Sequence, residues 1–254
     1  MVVALGLAMP GIWPVEAKEK AQQEYLALGD SIAAGEGASD PASAAYVPLF
    51  YEFLQSKDGF GKELALNNLA EVGITAGDLF ATQIPTASEE LEARNGDSAK
   101  KNDVKMVTLS AGGYDLFAHI LVCFDGLTPS CVDAINDTRF WTAFYLDLAL
   151  SELREAAGPD TSIIVMTYSN ALVHPACELH FLEPVWDVAL EGDSSVGVPE
   201  GLNDVIRSTA ASYGAEVAEA SGLLTPAELQ GDCFNLNDAG HAVVAELFTE
   251  AFAN

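Results

Sequence analysis

Positive charge is what this chain has least of: its 254 residues carry 11 Lys and Arg against 38 Asp and Glu, a formal net charge of −27 at pH 7. Nucleic acid and anionic lipid headgroups are held through clustered Lys and Arg. Here only Lys100, Lys101 and Lys105 sit together, so neither partner is expected. Long apolar runs are missing as well. The clearest, residues 2–9, is far short of the roughly 20 residues that cross a bilayer, so no integral membrane segment is expected. The cysteines contain no C-x-x-C pair, which excludes a zinc ribbon and a thioredoxin-type site. No G-x-G-x-x-G opens a helix and no His, Cys and carboxylate cluster has ligand spacing, so neither a cofactor nor a metal is implied. So acidic a surface repels itself, and salt screens that repulsion. The melting temperature is therefore expected to rise between low salt and molar NaCl, and a flat or falling curve would count against this reading.

What is present suits one α/β domain. Half of the residues are hydrophobic, enough for a sizeable core. The run at 2–9, followed by small residues at Val15-Glu16-Ala17, reads as a signal-peptide remnant over 1–17, with the domain over 24–254 and the protein secreted or periplasmic. Oxidising compartments preserve disulfides. The even set Cys123, Cys131, Cys177 and Cys233 allows three connectivities. The favoured one joins Cys123 with Cys131 and Cys177 with Cys233.

Apolar strand-like runs alternate with helical patterns from Glu24 onward. Strands are expected at 25–28, 65–69, 104–109, 162–167 and 215–218. Helices are expected at 47–55, 78–94 with Pro85 as a break, 142–156, 201–213 and from Gly240 to the end. Near-continuous apolar strands imply a sheet covered on both faces, a three-layer α/β/α sandwich. Residues 170–200 show no clear periodicity. They either border a substrate cleft or form a disulfide-pinned surface loop.

In an open parallel sheet the ligand lies beyond the carboxyl ends of the strands. Ser31, Gly73, the Gly112-Gly113 pair, Asp238 and His241 all fall on that edge. Each has an ordinary explanation, as a cap, a turn glycine or a surface histidine. Their coincidence on one rim is harder to dismiss. A serine attacks an ester only when a base takes its proton and a third group orients that base. Of the four histidines, only His241 has a carboxylate three residues ahead at a helix start. Ser31 is thus read as nucleophile, His241 as base and Asp238 as orienter.

The run from Tyr25 to Gly37, with Gly29-Asp30-Ser31 at its centre, resembles the first block of the SGNH, or GDSL-type, hydrolases. Leu236-Asn237-Asp238-Ala239-Gly240-His241 resembles their last block with its D-x-x-H pair, and the stretch from Asn68 to Thr75 is similar to their second. The resemblance covers nearly the whole chain after residue 24, and exported, cysteine-bearing bacterial lipases and esterases are its nearest branch. It implies a flavodoxin-like five-stranded parallel sheet in the order 2-1-3-4-5. It also implies hydrolysis of carboxylic esters, small or lipid, through an acyl-enzyme, with the N–H groups of Ser31 and Gly73 in the oxyanion hole. A monomer is expected.

The third block departs from the family's G-x-N-D. Here it reads Gly112-Gly113-Tyr114-Asp115, with tyrosine where the asparagine donor belongs. Losing one such donor costs about 10²- to 10³-fold in rate. Three outcomes are open: Tyr114 donates through its hydroxyl, Asn68 or Asn170 substitutes, or the site is slow or silent. A working but altered hole ranks first. The alternatives are a non-catalytic ligand-binding protein on the same scaffold, and an acyltransferase or carbohydrate esterase.

Overall fold

The structure, a computed structural model, describes residues 22–60, 63–96 and 100–253. The expected signal-peptide remnant lies outside them. Five parallel strands, β1 (Glu24–Gly29), β2 (Ala65–Asn68), β3 (Val104–Ser110), β4 (Ser162–Met166) and β5 (Glu216–Ala218), form one sheet in the order β2-β1-β3-β4-β5. The register pairs Leu26 with Asn67 on one side and with Val107 on the other. β1 is buried along its whole length, as a central strand covered on both faces must be.

Eight α-helices complete the sandwich: α1 (Ser31–Ala34), α2 (Tyr46–Gln55), α3 (Ala76–Asn95), α4 (Gly113–His119), α5 (Pro129–Ala157), α6 (Glu183–Glu191), α7 (Leu202–Ser212) and α8 (Asp238–Ala253). α2 and α8 pack together on one face, with Tyr46 stacked on Phe248 at 4.8 Å between ring centres. α3, α5 and α7 cover the other. Disulfides join Cys123 to Cys131 and Cys177 to Cys233, the connectivity favoured from the sequence. No helix among the described residues is long and apolar enough to cross a membrane.

Three expectations need correction. Pro85 does not break α3, which runs unbroken from Ala76 to Asn95. Pro85 and Ala81, whose carbonyl loses its amide partner, both face solvent, while Ile84, Ala87 and Leu91 hold the helix on the sheet. The orphan carbonyl is thus on the solvent side of the helix, where losing its amide partner costs little. α5 starts at Pro129, not Thr142, with Thr128 accepting from Cys131 N as its cap. Its inner face over the first turns is Cys131, Ile135 and Thr138, too polar to read as an apolar stripe. The 170–200 excursion contains α6, whose Val185, Trp186, Ala189 and Leu190 are buried.

The amino edge of the sheet is knotted by side chains that bond backbone. Asn95 Nδ2 donates to the carbonyls of Val104 (3.2 Å) and Ala157 (3.1 Å) and its Oδ1 accepts from Val104 N at 2.8 Å. Arg154 donates to the carbonyls of Tyr213, Gly158, Thr161 and Gly214 at 2.8–3.0 Å. The carboxyl edge carries ties of its own, Asn203 accepting from Tyr168 N and donating to its carbonyl at 2.8 Å each and Thr167 Oγ1 accepting from Ala220 N at 2.8 Å; there the loops frame a cleft.

Candidate functional site

β1 delivers its last residues into a crowded crossing. Gly29 has φ +142°, and a Cβ there would collide with the Ser110 side chain, so glycine is required. Gln83 clamps it, accepting from Gly29 N at 2.8 Å and donating to its carbonyl at 3.0 Å. Next in the chain, the buried Asp30 caps α1: Oδ1 accepts from Ile32 N (3.1 Å) and Ser110 Oγ (2.9 Å), and Oδ2 from the Tyr168 hydroxyl (2.5 Å). Burial pushes the Asp30 carboxyl up, and those three donors pull it partly back. Asp30, not Ser31, is the cap. Ser31 opens this four-residue helix and lines the cleft.

That cleft, about 370 Å³, lies beyond the carboxyl ends of the strands and is lined by Ser31, Gly73, Gly113, Tyr114, Trp186 and Asn235 with apolar neighbours including Phe117, Met166, Leu224 and Phe234. The size and mainly apolar walls are those of a small-molecule site. Gly73 adopts φ +75°, and a Cβ on it would stand 3.9 Å from Tyr114 Cε2. The ring of Tyr114 thus covers the ground beside Gly73. Neither amide proposed as a substitute donor reaches the cleft: Asn68 Nδ2 bonds the Ala33 carbonyl at 3.0 Å, and Asn170 Nδ2 bonds Glu183 O at 3.0 Å and Asp187 Oδ1 at 2.7 Å. Asp115 is spent on structure, accepting from Ala76 N at 2.9 Å.

No hydrogen bond joins Ser31, His241 and Asp238, the three residues expected to form the relay. His241 is 0% exposed and does not line the cleft. Its Nε2 contacts the Glu36 carbonyl at 3.1 Å and its Nδ1 is buried without a partner. Burial lowers its pKa, against the Glu36 carbonyl and the charge of Asp238, so the ring is neutral at neutral pH. The exposed Asp238 carboxylate is taken by Ser39, through N (2.7 Å) and Oγ (2.7 Å), and these bonds lower its pKa. The physical reason is local: Gly240 and His241 form the first turn of a helix pressed onto the core, and the ring follows the helix inward.

None of the four histidines lines the cleft. What stands there instead is Asn235, three residues after Asp232. Asp232 accepts from Asn235 N (2.9 Å), Asn235 Nδ2 (2.7 Å) and Phe234 N (3.0 Å). Burial raises the Asp232 pKa, but these bonds outweigh it and leave it lowered. A carboxylate holding a cleft-lining side chain three residues on is the arrangement expected of Asp238 and His241, moved six residues upstream and ending in an amide. Sequence reading passed over it because Asn235 is not a base. The available signal was the repeated D-x-x spacing beside Cys233, whose bond to Cys177 pins this turn.

No protein-family model and no curated protein sequence matches the chain. Among solved structures it is similar to a lipase from a goat-rumen metagenome (TM-score 0.64, 17% identity, covering 91% of this chain and 97% of that one). It is also similar to an acetylxylan esterase from Geobacillus stearothermophilus (TM-score 0.56, 16% identity, 93% and 97%) and to a member of the lipolytic G-D-S-L family from Veillonella parvula (TM-score 0.52, 14% identity, 91% and 99%). At such identities the likeness is one of fold.

Proposed function

The chain has the fold of the SGNH, or GDSL-type, hydrolases, and from that premise we propose that it binds an uncharged acyl ester at Ser31 without turning it over at an enzymatic rate. One observation carries the proposal: the cleft side chain oriented by Asp232 is the carboxamide of Asn235, which cannot take the Ser31 proton. A serine hydroxyl without a base is a weak nucleophile. Tyr114 in place of a short amide donor weakens the oxyanion site further. The backbone amides of Ser31 and Gly73 and the apolar walls still suit an ester carbonyl with a hydrocarbon tail. Two disulfides fit export to an oxidising compartment, and the chain is proposed to act as a monomer.

A second reading keeps ester hydrolysis through Ser31, His241 and Asp238, with Gly73 in the oxyanion hole. It is favoured by the closeness of Asp238, whose charge is felt at the ring. It requires the imidazole to leave the Glu36 carbonyl and swing into the cleft. Calorimetric titration with ethyl octanoate, octanoate release and fluorophosphonate labelling separate the two. The binding reading expects saturable heat that Ser31→Phe abolishes, no release above the uncatalysed rate, and an unlabelled Ser31. Turnover that disappears in both Ser31→Ala and His241→Ala, with Ser31 labelled, establishes the second reading instead.

A further inference from the structure

Every large hydrophobic side chain exposed among the described residues lies on a segment at the carboxyl edge of the sheet, where the cleft opens. Phe140, Trp141 and Phe144 belong to the half of α5 at that edge, since α5 runs down to β4 and Tyr145 meets Gly77 in the first turn of α3. The others at that edge include Val72, Tyr114, Leu121, Val122, Phe124 and Phe181, each 40–61% exposed. Two of them belong to the cleft. Val72 and Tyr114 line it, and Leu121, Val122 and Phe124 follow α4 on a turn held by the Cys123–Cys131 bond. Phe124 and Phe181 meet at 5.3 Å between ring centres, next to the helix that brings Trp186 to the cleft. Singly exposed apolar residues need no explanation, whereas their segregation to one end of an otherwise acidic molecule does.

The cations are segregated in the opposite sense. Lys57, Arg94, Lys100, Lys101, Lys105 and Arg154 sit at or near the amino ends of the strands. The two described cations outside that group are held by carboxylates, Arg139 by Glu200 at 3.0 Å and Arg207 by Glu219 at 2.9 Å. Exposed Glu36 lines the cleft, and exposed Glu71, Asp125 and Glu178 lie on the same segments as Val72, Phe124 and Phe181. An anionic surface is therefore repelled from this end. A second copy is disfavoured too, because a closed dimer through this face would bring two acidic rims together.

We propose that the cleft end docks on an uncharged lipid surface, with Phe124 and Phe181 inserted and the cleft mouth facing the lipid phase. The proposal concerns the rim and holds whether or not the cleft turns its ligand over. The full chain is floated with triolein droplets coated with phosphatidylcholine, and separately with phosphatidylglycerol vesicles and with cationic vesicles. Co-flotation with the zwitterionic droplets alone, reduced about tenfold or more in Phe124→Asp/Phe181→Asp, is expected from the apolar area withdrawn from water. Three results overturn it: equal flotation of the variant, selective binding to either charged vesicle, or a dimer in sedimentation that the variant dissolves. Titration of the variant with ethyl octanoate reports the cleft separately, so loss of docking with retained heat is a result about the rim alone.

Discussion

Asn235→His combined with Tyr114→Asn turns the protein into an esterase, measured as p-nitrophenyl butyrate hydrolysis that Ser31→Ala abolishes. The backbone at 235 already suits a base, because Asp232 holds both N and Nδ2 of the present residue. An imidazole on that backbone would offer Nδ1–H to the same carboxylate, fixing the tautomer that leaves Nε2 free to accept a proton. General-base assistance contributes about 10²- to 10⁴-fold. Restoring an amide donor at 114 adds about 10²- to 10³-fold. The single Asn235→His variant is expected to gain measurably and Tyr114→Asn alone hardly at all, since a better oxyanion site has little to stabilise until the nucleophile is activated. A double variant that binds ethyl octanoate yet hydrolyses nothing and escapes fluorophosphonate labelling would falsify the placement of Ser31 and Asn235 at one reacting centre.

Replacing both Cys177 and Cys233 by serine is expected to cost roughly 4 kcal/mol of stability, the loop-closure entropy of a cross-link spanning 56 residues, whereas the Cys123–Cys131 bond, spanning 8, is worth about 2.5 kcal/mol on the same account. Urea denaturation of the two double variants checks the order. The larger loss should be accompanied by weaker ligand binding, because Cys233 lines the cleft between Asp232 and Asn235. Cys233 also holds φ +78°, a conformation that costs a non-glycine residue energy unless its surroundings impose it. Equal losses from the two pairs, or an unchanged affinity without the Cys177–Cys233 bond, would contradict this view of the turn.

The sheet was legible because its central strands are near-continuous apolar runs of the right length, and Tyr25–Leu28 and Ser162–Thr167 leave little else to be. Ser31 and Gly73 were legible for the same reason: both follow strands, and topology alone places them on one rim. The base was not. Asp238 and His241 satisfy the spacing in one dimension, but which way a helical residue points depends on what the helix is pressed against, and α8 turns His241 into the core. Asn235 was hidden by chemistry, since a search for proton acceptors passes over an amide. Likewise the amino-terminal half of α5 was hidden by Thr138 and Thr142, buried hydroxyls where an apolar stripe would be sought.

The side-chain lattice of Asn95 and Arg154 ties α3, α5 and the end of α7 to the start of β3 and to the turns that lead into β4 and β5, at the end of the molecule remote from Ser31. Cooperative stability concentrates where backbone groups are so cross-tied, and loops without such ties open locally at lower free energy. The cleft end is tied as well, by Gln83, Asp30 and Asn203 and by the Cys177–Cys233 bond, so both ends of the sheet carry stability. Tyr114 and Asn235 take part in none of these ties, so a scaffold of this kind can change what its cleft does while keeping its shape.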